Sequence, residues 1–269
     1  MTDDRASIAA VEGSARGVRF PRFPLCPDLR PRKNPRTCCL RPDKPPKRPD
    51  PGIYSQVERF AAGVPPTWDS PDITTNLSGR TTLDENVRVT VRNYSPDAPA
   101  LNTQVQLEYS RFGIGFGRNL LGILPVNLNK AGVVLEEQIL EFYLPTTIRD
   151  QFGNISVFVT VSHPKDRNAR NNEGEQAWSA SAATAGSTAT FDFELHNALA
   201  SSSTFDLLTL EADWSATLSD SQVVLVPGQT RNVTLSVQVP ADASGSQRFN
   251  IVALVGGGLY GGLHHRFDT

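Results

Sequence analysis

His264 and His265, with Asp268 close behind, are the residues whose types best suit metal or acid–base chemistry. Adjacent strand positions point to opposite faces, so these two imidazoles do not share one ion. The other histidines, His163 and His196, have no H-E-x-x-H partner, and no serine or cysteine beyond the N-terminal region sits in a G-x-S-x-G context. Glu136 and Glu137 also face opposite ways and make no glycosidase couple. The run Asp166, Asn168, Asn171, Asn172, Glu173 has the composition of a calcium loop. Arg170 stands where an EF-hand needs an oxygen ligand, and Asn171 where it needs glycine. Such residues are expected instead to bond their own backbone in turns. Phe112 to Asn119, FGIGFGRN, spaces Gly113, Gly115 and Gly117 as G-x-G-x-G, and the extended LLGILPVNL follows. A dinucleotide loop needs G-x-G-x-x-G leading into a helix. The segment reads as a glycine-rich turn or edge whose Phe112 and Phe116 either cover the core or form an interaction surface. Asn76, Asn93, Asn154 and Asn232 head N-x-[ST] triplets, which arise often by chance. None of this reaches a catalytic constellation, and the expectation is a protein that is not an enzyme, with no cofactor and no metal.

The cysteines are confined to one region. Cys26, Cys38 and Cys39 fall within residues 1–51, which hold 12 Lys/Arg against 6 Asp/Glu and 10 of the 20 prolines. A structural zinc site wants four ligands, and no histidine precedes His163 to complete the set. A bridge from Cys26 to Cys38 or Cys39 would contribute about 3 kcal/mol by the chain-entropy argument, leaving one thiol free or available to cross-link chains. Three reduced thiols are the other reading, open for a chain that shows no signal peptide. Proline fixes φ and removes an N–H, so Pro21 to Pro51 is expected to run as extended, basic chain. With few aromatics beyond Phe20 and Phe23 to stack on bases, its charges, including Arg32, Lys33 and Arg36, suit a protein neighbour better than nucleic acid.

Residues 52–269 carry 14 Lys/Arg against 22 Asp/Glu and no cysteine. The near-neutral chain is therefore a basic arm joined to an acidic body. The N-terminus shows no apolar core of a signal peptide, and the longest uncharged apolar stretch, Ile251 to Leu263, has 13 residues and five glycines, short of the roughly 20 of a membrane span. Residues 53–63 place Ile53, Val57, Phe60 and Ala61 at i, i+4, i+7, i+8, predicting a short helix with that face packed inward, stopped by Gly63 and Pro65-Pro66. Beyond Trp68 the period becomes two: Val87, Val89, Val91; Val105, Leu107, Tyr109; Ile155 to Val161; Phe191, Phe193, Leu195; Val233 to Val239; Phe249 to Val255. Half-buried strands separated by turns predict antiparallel sandwiches. Their order repeats, with a strand end at Asn93 matched by Asn197 and Pro145-x4-Asp150-x-x-Gly153 by Pro240-x-Asp242-x-x-Gly245. Two copies of one fold are expected, with a boundary in the small-residue run Ser179 to Ser187.

The motifs SPDI at Ser70 to Ile73, VRN at Val91 to Asn93 and DRNARNNEGE at Asp166 to Glu175 make the first copy resemble CARDB-type, cell-adhesion-related immunoglobulin-like domains. The second copy, with Trp214 and LVPGQTRNVTLSVQVPADASG from Leu225 to Gly245, resembles the immunoglobulin-like sandwich found beside NPCBM carbohydrate-binding modules. Those resemblances imply two tandem immunoglobulin-like antiparallel β-sandwiches on an all-β chain and a mostly non-enzymatic role. The expected organisation is a Pro-rich arm over 1–51, a helix and linker over 52–66, and sandwiches over 67–178 and 187–269. The expected function is a structural or interaction subunit of a large assembly, such as a phage-tail-like or other extracellular particle, whose partners are other protein subunits or copies of itself. An adhesion or carbohydrate-binding module is the alternative, and it requires an exposed aromatic platform.

Overall fold

A computed structural model describes residues 47–75, 86–148, 154–210 and 213–269. Cys26, Cys38, Cys39, Arg32, Lys33 and Arg36 lie outside them, as does Asn76. Residues from Pro46 to Thr269 form one unit. It contains two antiparallel, immunoglobulin-like β-sandwiches.

In the first, strand β3 (Asn86–Asn93) is paired on one side by β1 (Pro51–Gly52) and β2 (Ile73–Thr75) and on the other by β6 (Glu137–Tyr143). The facing sheet runs β5 (Asn119–Leu128), β4 (Ala100–Arg111), β7 (Ile155–Ser162), β8 (Glu173–Gln176). Val87, Val89 and Val91 of β3 meet Val105 and Leu107 of β4 and Ile155, Val157, Val159 and Val161 of β7 in one core. The period-two pattern thus sends each apolar set inward while Arg88 and Arg92 face outward to Glu141 and Glu137.

The second sandwich repeats the plan. Strands β10 (Thr188–His196), β14 (Thr230–Gln238) and β12 (Ala216–Leu218) form one sheet. The other runs β13 (Gln222–Leu225), β11 (Ser203–Leu210), β15 (Ser246–Val255), β16 (Gly258–Asp268), β9 (Trp178–Ala182). The β3·β6 pair corresponds to β10·β14, and the order β5-β4-β7-β8 to β13-β11-β15-β16. The matched asparagines show the duplication at atomic level. Asn93 is buried, donates from Nδ2 to the carbonyls of Ala98 and Asn129, and accepts at Oδ1 from the Ser95 N–H. Asn197 donates to Ser201 and Leu225 and accepts from the Leu199 N–H. Each ties the end of one sheet to the connection leaving the other. Burial and full use make a glycan on Asn93 incompatible with this fold.

Three expected boundaries shift. Residues 48–52 are part of the first sandwich rather than of the arm. Asp50 accepts from Asn171 Nδ2 and Arg167 Nε, its N–H donates to Asn93 Oδ1, and the Ser95 hydroxyl donates to the Arg48 carbonyl. The helix α1 is shorter than expected, Gln56–Ala61, and turns a different face inward. Val57 is exposed and Gln56 is buried, because Gln56 Nε2 donates to the carbonyls of Thr67 and Glu175 while its Oε1 accepts the Glu175 N–H. The side chain imitates a neighbouring strand along β8, a use that no apolar periodicity reveals. Finally, the small-residue run after Trp178 is not a linker. It forms β9, pairing in parallel with β16 from His264↔Trp178 to Asp268↔Ala182. An edge strand held by backbone bonds and hydroxyls needs little apolar content.

Replacing Asn93 by alanine strands two carbonyls and two N–H groups at a sheet-to-sheet corner, and replacing Asn197 strands two carbonyls and one N–H. Each substitution is expected to cost on the order of 2 kcal/mol in urea unfolding. A loss under about 0.5 kcal/mol, the scale of a surface substitution, would contradict the equivalent roles given to the two residues.

Candidate functional site: the cleft between the sandwiches

The two sandwiches meet through chain that crosses between them. Trp68, which precedes β2 of the first sandwich, is fully buried in the core of the second with Phe205, Leu207, Phe249 and Leu263. Its approach explains Gly262, where an added Cβ would lie 2.5 Å from the indole ring. The Ala177 N–H donates to the Trp68 carbonyl, and the His264 N–H to that of Ala177, continuing the sheet across the junction. Asn250 Oδ1 gathers donors from the Thr67 hydroxyl at 3.0 Å, the Trp68 N–H at 3.4 Å and His264 Nδ1 at 3.1 Å.

The glycine-rich segment makes the second crossing. Ile114 is the anchor: it is buried in the second core, its N–H donates to the Glu194 carbonyl, and its own carbonyl accepts the His196 N–H. The backbone thereby adds a single residue of parallel pairing beside Leu195. Gly113 and Gly115 take φ of 135° and 83°, and side chains there would strike the carbonyls of Glu194 and His196. Phe112 packs edge-on to Phe191 with ring centroids 6.2 Å apart, and Phe116 stacks on His196 at 5.1 Å beneath the Arg111 guanidinium. Arg111 also pairs with Glu194 at 2.5 Å. The phenylalanines therefore cover an interface inside the chain. Ile114 carried no sequence signal beyond being the one aliphatic residue among the glycines.

Between the crossings lies a cleft in two adjoining parts, about 210 and about 190 Å³ in volume. Both parts share Arg118, Phe158, Glu175, Tyr260 and Gly261. Phe158 points away from the core of its own sandwich, and the Arg118 guanidinium lies over its ring at 4.1 Å. Glu175 Oε2 accepts from the Trp68 indole N–H at 2.9 Å. Burial pushes its carboxyl up to about 7, against the opposing pull of the Trp68 hydrogen bond and of Arg118. The Tyr260 hydroxyl donates to the His196 carbonyl and accepts the Ala198 N–H, and burial raises its pKa.

The paired histidines face opposite ways, as their positions require. His264 looks toward Asn250 and Asp69, with Nε2 buried and without a partner among the described residues. His265 stacks on Phe191 at 3.8 Å, its two ring nitrogens bonded to the hydroxyls of Ser179 and Ser181. Burial lowers His264 to about 4 and His265 to about 3. The Asp166–Glu173 run is a turn bonded to itself: Asp166 accepts from the Asn168 N–H, Asn168 accepts from the Arg170 N–H, and Asn171 holds Asp50. Among the described residues no three His, Cys, Asp or Glu side chains gather as a metal site.

No family model matches the chain, and no curated protein matches it. Solved structures show slight likeness only. The MSP-domain-like protein SSP-19 of Caenorhabditis elegans is 10% identical over 34% of this chain and 92% of its own, with a TM-score of 0.26. The elastase-activated alpha-2-macroglobulin of Escherichia coli is 11% identical over 83% of this chain and 22% of its own, with a TM-score of 0.27. A protein of unknown function from Porphyromonas gingivalis is 10% identical over 74% of this chain and all of its own, with a TM-score of 0.27. Scores this low carry no argument about function.

Ile114→Ala is expected to cost about 2–5 kcal/mol in urea unfolding and to lower hydrogen-exchange protection at the His196 amide. Unchanged protection there would refute the docking of this loop. The buried ionisable groups set a pH dependence with two opposite signs. Below about 6.5 the unfolded chain takes up histidine protons that the folded chain refuses until about 4 and 3, so stability falls with acid. Glu175 acts the other way, because the folded state holds a proton that the unfolded state loses from about 4.5 upward, and stability drains as pH rises toward 7. Glu175→Gln should therefore gain in Tm relative to the parent between about pH 5 and about pH 8. Parallel Tm profiles would exclude this assignment.

Proposed function

We propose that the protein is a non-catalytic structural or interaction subunit of a multi-protein assembly, contacting its neighbours through the open edge of its first sandwich and through the basic N-terminal segment. The observation that carries this reading is an apolar surface on strands with a free edge. β5 and β6 are the outer strands of their sheets and lie side by side. They and the turn beside β6 expose Leu120, Ile123, Val134, Leu135 and Ile139, with Val134 at 81%. Leu135 takes φ of 70° at the tip, a strained conformation for a branched apolar side chain that here displays it to solvent. Edge backbone with no further strand partner among the described residues, flanked by exposed aliphatic side chains, suits a strand or sandwich edge from a neighbouring protein. The resemblance of the first sandwich to CARDB-type modules supports the same reading. The charge contrast between the basic residues 1–51 and the acidic remainder suits subunits laid head to tail.

The carbohydrate-binding alternative has less support, since Trp68 and Trp178 are buried and Trp214 packs, half-buried, against the second core. Among the described residues no helix is long and apolar enough to cross a membrane.

Native mass spectrometry tests the proposal. Species above the monomer mass of 29.3 kDa are expected, and Val134→Asp with Ile139→Lys should shift them to monomer with Tm unchanged. A lone monomer whose N-terminal segment is removed at once by protease would overturn it.

A further inference from the structure

We propose that the cleft between the sandwiches is a receptor for a guanidinium group, held between the Phe158 ring and the free oxygen of Glu175. This inference stands apart from the edge surface: it rests on Phe158 of β7, Glu175 of β8 and Arg118, which directly precedes β5, none of them among the exposed aliphatic residues of that edge.

Phe158 is the first reason. Alternation along β7 sends Ile155, Val157, Val159 and Val161 into the first core, and Phe158 belongs to neither core. An aromatic ring on the outer face of a sheet is normally wet, yet Phe158 is only 8% exposed. What lies over its face is the guanidinium of Arg118, 4.1 Å from the ring centroid. Arg118 itself is exposed and makes no hydrogen bond or ion pair with any described residue. A planar cation is thus already seated on the ring, held by the ring face and by the attraction of the nearby Glu175 carboxyl, with no hydrogen bond of its own among the described residues.

Glu175 is the second reason. Oε2 is committed to the Trp68 indole, while Oε1 has no hydrogen bond among the described residues. A carboxylate at the junction of two domains, with one oxygen unused and aromatic walls beside it, is matched by a guanidinium, which supplies N–H donors in one plane and stacks on a ring with its face. Cleft volume lies on both sides of the Arg118 side chain, so Arg118 divides a space larger than it fills. Gln56, Val57 and Leu259 line one part, and Gly115, Phe116 and Ala198 the other. In this arrangement Arg118 is a built-in occupant that yields its place to an incoming guanidinium. That group belongs either to an arginine side chain of a neighbouring protein or to a small free guanidino compound.

The Trp68 indole N–H is bonded to Glu175 and so reports the site directly by NMR. Agmatine and an N-acetylated, C-amidated Gly-Arg-Gly peptide are the probes, titrated against the full chain at constant ionic strength and at about pH 8, where the Glu175 carboxyl, pushed up to about 7, is ionised. Each is expected to move the Trp68 indole resonance saturably, with at least tenfold weaker binding to Glu175→Gln. Arg118→Ala, which vacates the ring, should bind several-fold more tightly, and Glu173→Gln, at an exposed carboxylate on the cleft rim, should bind as the parent does. Tighter binding of the peptide identifies a neighbour's side chain as the source, and tighter binding of agmatine a free compound. A resonance that fails to saturate in both the parent and Arg118→Ala overturns the proposal. Equal binding to Glu175→Gln does the same. Retained indole dispersion in each variant shows that it is folded.

Discussion

The structure depends on one exchange of core residues. The second sandwich is completed by Trp68 and Ile114, side chains that the chain lays down before that sandwich begins. Burying each contributes about 1.5–3 kcal/mol, a large share of the stability of a small domain. The second copy therefore takes part of its core from outside itself, although its strand order is that of an independent domain. Two crossings, with the Trp68–Ala177–His264 backbone relay between them, leave no free linker about which the sandwiches can turn.

The polar groups follow from that exchange. Bringing Trp68 across forces its indole N–H, its own N–H and the Thr67 hydroxyl under protein, and each finds an acceptor in Glu175 or Asn250. Buried polar groups have to be paired, so the junction recruits Gln56 along β8 and His264 beside Asn250. The same desolvation moves Glu175 and both histidines away from their usual titration ranges. Perturbed acids and bases are often taken to mark catalysis. Here they lie along the seam between the sandwiches, and the cleft is the part of that seam that packing leaves unfilled.

Much of this was legible in the residues. Alternating apolar residues mark β3, β4 and β7 in the sequence, and the recurrence of Asn93 at Asn197 marks the duplication. The Asp166 to Glu173 run read correctly as a turn bonded to itself. Hidden were features that local period does not encode. Val57 fits an apolar stripe, but a six-residue helix packs by whatever its neighbour lacks, and β8 lacked a strand partner that Gln56 supplies. Ser179 to Ala182 looked like linker because an edge strand can be held by backbone and by two serines on a histidine. Trp68 and Ile114 were hidden because their core belongs to the other copy. The cleft was hidden with them, since alternation along β7 sends Phe158 outward without saying what covers it.

The stitching of residues 48–52 has a mechanical meaning. A pull transmitted through the basic N-terminal segment enters the sandwich at Arg48 and Asp50. It meets several bonds loaded together: those from Arg167 and Asn171 to Asp50, the one from Asp50 to Asn93, and the ladder of β1 on β3. Bonds loaded in parallel share force, whereas a lone terminal strand unzips one bond at a time. Because Asn93 also fastens the far sheet through Asn129, load spreads at once into both layers of the sandwich. Tension entering at Arg48 therefore reaches a point already bonded to both sheets, as a tether is made fast to a frame.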